Sequence, residues 1–261
     1  MSKNEKDMIS ASHIVLDKSY LQGCTSLNLE EMSRQHRLIL CAETFHEVVS
    51  SPDDEMKSCM KKLLAYTTSV DLLDHHGTLL KYEIENRQPC KPLSAHILPL
   101  TLNPEWNHTI SEPQSETITD FHNHWEVDSP KAFDEIVLEI IGTCGRITPE
   151  QVASDREMVL KTYGHLRASE RLPLPSHLNE DWAIYRRLQV ELIAAHEYMY
   201  SFQDGQFCIR KDRKAHNQID FRVLIAACLA GGIATRDNLI RRYFEILCPG
   251  GTLYWIEGHR P

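Results

Sequence analysis

Asn217-Gln218-Ile219-Asp220-Phe221-Arg222-Val223-Leu224-Ile225-Ala226-Ala227-Cys228-Leu229-Ala230-Gly231-Gly232-Ile233-Ala234-Thr235-Arg236-Asp237 reads as a buried helix passing through a glycine break into a short strand. The run from Val223 to Ala230 carries no charge after Arg222, so the helix is expected to be covered on most of its sides. Gly231 and Gly232 mark the break, and Ile233-Ala234-Thr235 makes the strand. Asp220 is expected to open the helix, and Asp237 lies just past the strand's carboxyl end. In open parallel α/β sheets that edge is where ligands bind.

The start of the chain supplies the counterpart. His13-Ile14-Val15-Leu16 is a short apolar strand followed by Asp17, and Arg37-Leu38-Ile39-Leu40-Cys41 is a second, with Glu43 just beyond it. Short hydrophobic runs that each lead to a carboxylate would gather those charges at one sheet edge. Carboxylates held together repel one another unless a cation sits among them. Oxygen-only surroundings suit hard divalent ions such as Mg²⁺ and Mn²⁺.

With 261 residues, the chain can form one large domain or two small ones around a sizeable core. Its 42% hydrophobic and 25% charged residues are ordinary for a soluble globular protein. A formal net charge of −9 gives no global attraction for nucleic acid, so such a site needs a local basic patch or a basic partner. The eight cysteines form no Cys-x-x-Cys pair, which argues against a zinc ribbon. Cys41 and Cys228 lie in apolar runs, as reduced, buried thiols of a cytoplasmic protein would. Residues 1–10 lack the apolar core of a signal peptide, and no apolar run is long enough to span a membrane.

Between the two ends the chain reads mainly as helix. Helices are expected at about 54–75, 131–142, 149–167 and 178–203, with the second of the last three opened by Thr148 and Pro149. Residues 86–130 are rich in proline and read as an extended excursion containing Trp106 and Trp125. After Asp237 a helix runs to Leu247, Pro249-Gly250-Gly251 stops it, and Thr252–Ile256 forms a last strand. The expected architecture is α/β: strands alternating with helices at both ends of the chain, and one further strand not placed.

Leu16-Asp17-Lys18-Ser19, Leu40-Cys41-Ala42-Glu43, Asp220 in its alanine-rich helix and Thr235-Arg236-Asp237 together resemble the PIN domain. The resemblance covers about residues 12–50 and 215–258 and implies a single PIN-like sandwich with a mostly parallel central sheet. Residues from about 54 to 210 would be a large, mainly α-helical insertion. A minimal PIN domain has its two inner acidic motifs much closer together in sequence. Active PIN-like proteins are Mg²⁺- or Mn²⁺-dependent nucleases, mostly acting on RNA, and many are toxins of toxin–antitoxin pairs. By this resemblance Asp17, Glu43, Asp220 and Asp237 would be the catalytic, metal-holding quartet. Ser19 and Thr235 match hydroxyl positions that support the first and last aspartates. The resemblance thus implies a metal-dependent phosphodiesterase, an endoribonuclease ahead of a DNase, as a toxin or defence effector. A regulatory protein or a second copy of the chain would be its protein partner. Lys18, Arg236, Arg210 and Lys211 are the candidate contacts to the nucleic-acid backbone.

Other readings compete. Asp220 and Asp237 could each be helix N-caps, and Glu47, one helical turn after Glu43, could replace it. A non-catalytic PIN-like scaffold or interaction protein would keep the fold without the chemistry. A DNA-acting relative would need a helix-hairpin-helix signal, which is missing. His122 and His124, with Asp120 and Asp128 near them, form a His-x-His pair compatible with zinc, but no third ligand stands at a diagnostic spacing. Gly231-Gly232 and Gly250-Gly251 do not match a phosphate loop, and there is no nucleophile elbow.

Overall fold

The structure is a computed structural model that describes residues 13–66, 70–98, 129–144, 147–166, 175–203, 206–207 and 211–257. Its centre is β1, His13–Leu16. Ile14, Val15 and Leu16 have no exposed surface, the mark of a strand covered on both faces. β2 (Arg37–Cys41) and β7 (Gly232–Thr235) flank it, both parallel to it. β3 (Val70–Leu73) adds to β2 in parallel, and β8 (Thr252–Trp255) adds to β7 in parallel. β4 (Ile97–Leu98) closes the far edge antiparallel to β3. The six-stranded order is β4-β3-β2-β1-β7-β8. From β1 the sheet grows one way through β2 and β3 and the other way through β7 and β8, so the order reverses between β1 and β7.

Alternation along β1 sends its side chains to two separate cores. Ile14 and Leu16 pack with Leu38, Leu40, Tyr20, Leu29 and Met60 beneath α1 (Lys18–Gly23), α2 (Ser26–Gln35) and α4 (Asp53–Leu64). Val15 and Ile39 pack on the opposite face with Val223, Leu224 and Ile193. That face is covered by α10 (Lys211–Ala230), which rests on β1. Behind it lies α9 (Ala183–Met199), the hub of the helical layer. It touches α10, α5 (His76–Asn86), α6 (Ser129–Cys144), α7 (Pro149–Ser154) and α8 (Arg156–Leu166). α3 (Ala42–Val49) follows β2, and α11 (Asn238–Leu247) joins β7 to β8. A two-stranded ribbon, β5 (Phe202–Gln203) with β6 (Gln206–Phe207), separates α9 from α10.

Several sequence expectations need correction. α10 begins at Lys211, so Asp220 lies inside the helix and cannot be its N-cap. The helix expected over 54–75 ends at Leu64, and Val70–Leu73 is the unplaced strand. β3 and β4 both fall within the range expected as helical insertion. The helix expected from 149 to 167 is two helices, because Asp155 leaves the helical conformation and its Oδ1 accepts the Met158 N–H at 3.0 Å. Thr148 does cap the first of them, in a capping box with Gln151. Trp106, Trp125 and the His122–His124 pair lie outside the described residues.

Candidate acidic site at the carboxyl edge of the sheet

Asp17 follows β1 and Asp237 follows β7, the two strands between which the sheet order reverses. At such a reversal the connections leave in opposite directions and open a crevice beyond the strand ends. Hydroxyl groups tie the two turns together. Asp17 Oδ2 accepts hydrogen bonds from Ser19 Oγ and, at 2.6 Å, from Thr235 Oγ1. Ser19 Oγ accepts the Arg236 N–H at 2.9 Å, and Thr235 Oγ1 accepts the Asp237 N–H at 3.0 Å. Both hydroxyls thus bond the carboxylate of Asp17, and Thr235 meets Asp237 only through its backbone N–H. Asp237 also caps α11, its Oδ1 accepting the N–H groups of Leu239 at 2.7 Å and Ile240 at 2.9 Å.

Asp220 reaches the same edge from the middle of α10. Burial pushes its carboxyl well above the usual carboxylate range, and the charges of Asp17, Glu47 and Asp237 push further; Lys18 opposes them. Asp17, 5% exposed, is raised by burial and by Asp237, against the pull of the Ser19 and Thr235 hydroxyls. Glu47 is raised by burial, with Lys18 and His216 opposing and Asp17 adding. Asp17, Asp220, Asp237 and Glu47 thus form one electrostatic unit with its charges in conflict.

Glu43 has a different setting. Its Oε1 accepts the N–H of His76 at 3.0 Å, at the start of α5, and lies 3.4 Å from His75 Nε2. The half-buried Arg222 guanidinium, its pKa lowered by desolvation to about 9 against the pull of Glu43, stands near it. Burial also lowers His75 and, with Arg222 and Arg187 adding, His76. A capping contact to α5 and a basic surrounding occupy Glu43, whereas Glu47, one turn later, meets the other acids. The spacing of four along α3 was the available signal, and it leaves the choice between them open.

Of the expected basic contacts, two are sequence neighbours of the acids: Lys18 follows Asp17 and Arg236 precedes Asp237. Lys18 turns inward to Glu47, with Nζ 3.3 Å from Oε1. Arg236 lies across Gly23, where any side chain would overlap its guanidinium. Lys211 starts α10, and Arg210 lies outside the described residues. His216 was missed by sequence reasoning; it stands 3.6 Å from Glu47 and one turn before Asp220 on α10.

Four carboxylates in one unit are the right donor chemistry for a hard divalent cation. Their present hydrogen bonds turn several oxygens aside: Asp17 Oδ2 to two hydroxyls, Asp237 Oδ1 to helix amides, Glu47 to Lys18. Among the described residues no three His, Cys, Asp or Glu side chains form a group that could hold a metal ion. Carboxylate oxygens suit such an ion chemically, but the arrangement seen does not by itself hold one. No helix among the described residues is long and apolar enough to cross a membrane.

Comparison of the chain with protein-family models, curated proteins and solved structures finds no match.

Proposed function

We propose that the chain is a divalent-metal-dependent phosphodiesterase with a PIN-like core, acting on RNA. One observation carries the reading: Asp17, Asp220, Asp237 and Glu47 come from four separate segments to the point where the sheet order reverses, and their charges oppose one another there. A fold that needed only caps and turns would have little reason to gather one buried and three half-buried carboxylates in one field, since their repulsion costs stability at neutral pH. Bound Mg²⁺ or Mn²⁺ would offset the phosphodiester charge and lower the pKa of a water. The chain's own part is positional. Ser19 and Thr235 fix Asp17, α11 fixes Asp237, and α10 and α3 bring Asp220 and Glu47 against them. Glu43 is engaged elsewhere, accepting the His76 N–H at the start of α5.

The test is cleavage of RNA and single-stranded DNA with Mn²⁺, Mg²⁺ or EDTA, in the wild type and Asp237→Asn. Asparagine keeps the α11 cap, so stability should change by less than about 1 kcal/mol. Cleavage should require metal, favour RNA and fall by about 100-fold or more in the variant. Equal cleavage by the variant, or cleavage in EDTA, contradicts the proposal. A second reading, a non-catalytic PIN-like scaffold, is favoured by the Lys18 ammonium that already stands beside Glu47. It predicts no cleavage and no Mn²⁺ binding.

A further inference from the structure

β8 is the edge of the sheet, and among the described residues it pairs with β7 alone. Both of its faces are packed. Leu253 joins the core that contains α10, and Tyr254 joins the core on the opposite face. Tyr254 Oη lies 2.9 Å from His36 Nε2, and the Arg241 guanidinium stands 4.4 Å from the centre of the Trp255 ring. All of β8 is nevertheless only half-buried, whereas β7 is buried throughout. The remaining exposure falls on the outer edge. One bond fixes which backbone groups face that way: Thr252 N–H donates to Gly231 C=O at 2.9 Å, toward β7. In a parallel ladder a residue turns its N–H and C=O to the same neighbour, and the next residue turns both away. Thr252 and Tyr254 thus serve β7, and the N–H and C=O groups of Leu253 and Trp255 point outward. Natural edge strands are kept from pairing by brevity, charge, proline or a bulge. The opposite edge is brief, since β4 has two residues. Thr252-Leu253-Tyr254-Trp255 pairs in unbroken register and carries neither charge nor proline.

We propose that β8 is a homodimer interface, where two copies of the chain join their sheets by antiparallel pairing of β8 about a two-fold axis. One register satisfies every outward group. Leu253 exchanges both hydrogen bonds with the partner's Trp255, Trp255 does the same with the partner's Leu253, and Tyr254 meets the partner's Tyr254 on the axis. The strand suits a second copy because it has no charge to meet its like, and the pair on the axis is aromatic. The contact buries about 1,000 Å² or less, so the dimer is weak and forms at about 10–100 µM. The inference is independent of the metal reading.

The experiment is sedimentation of the full-length wild type and Leu253→Pro over a concentration series from about 1 to 500 µM. Proline at an outward position removes the edge donor and leaves the pairing with β7 intact. The wild type should become dimeric as concentration rises. The variant should dimerise about tenfold or more weakly, because symmetry counts the change twice. A wild type that stays monomeric, or a variant that dimerises equally well, overturns the inference. If Leu253→Pro fails to fold, amide hydrogen exchange of the wild type decides. The N–H groups of Leu253 and Trp255 should exchange several-fold more slowly at the highest concentration than at the lowest, while Thr252, bonded to Gly231, keeps the same protection. Fast exchange of both at every concentration overturns the inference. Slow exchange of both in a monomer also overturns it, since the chain then covers its own edge.

Discussion

Asp220 shows most sharply how a single residue can be costly to the fold. It sits inside α10 rather than at its start, so its carboxylate has no capping role to offset burial. Its folded-state pKa is raised, first by burial and then by Asp17, Glu47 and Asp237. A raised carboxyl pKa favours folding when the group is protonated, and that contribution is lost as the pH rises through the folded-state value. Asp220→Asn should therefore be more stable than the wild type by about 1–2 kcal/mol at pH 8 in metal-free urea unfolding. The gain should shrink as the pH is lowered toward 4. A variant less stable than the wild type at pH 8 would show that Asp220 has a structural partner. Asp17, Ser19, Thr235 and Asp237 were legible in the sequence because short apolar strands announce their own ends. The location of Asp220 was hidden by the charged run 210–214, which reads as surface although Lys211 begins the helix. Glu43 and Glu47 share a helix face, and only the approach of α5 to one and of Lys18 to the other separates them.

At the scale of elements, a buried carboxylate remote from the acidic site holds the helical layer in place. Glu83 on α5 has no exposed surface. Its Oε1 accepts the N–H groups of Ala183 at 2.6 Å and Cys90 at 3.0 Å, and its Oε2 accepts Ile184 N–H at 2.9 Å. Glu83 thereby caps α9, whose N-terminal Trp182 offers no side-chain cap, and pins the hub helix to α5. Glu83→Ala strands buried donors and should cost about 3 kcal/mol or more in chemical unfolding. A loss below about 1 kcal/mol would mean water replaces the carboxylate. Nothing in the sequence foretells this contact, since Glu83 and Ala183 are distant in the chain. Gly23 is a second element-scale constraint: Gly23→Val must displace Arg236 from the end of α1 and should destabilise by about 1–3 kcal/mol. β3 was misread for a related reason. Four apolar-rich residues satisfy helical and extended periodicity alike, and only pairing with β2 decides between them.

For the whole molecule, the parallel sheet turns both ends of the chain into one edge. β1 and β7 lie side by side, and the residues between them in sequence cover both faces of the sheet and extend its far edge. Alternating strands and helices at the two ends made this α/β layout readable, whereas the stacking of α9 on α10 depends on contacts among helices distant in the chain. A cation that binds only the folded state stabilises it by mass action. Mn²⁺ at about 100 times its Kd should add about 2.7 kcal/mol to the unfolding free energy of the wild type. Asp17→Asn should show little of that gain, and a full gain in the variant would move the metal elsewhere. The most direct measurement is anomalous diffraction from crystals of the full-length protein soaked in Mn²⁺. The account predicts a peak among the carboxylates of Asp17, Asp220, Asp237 and Glu47. A peak at the histidines alone, or an acidic edge that stays empty, would contradict it.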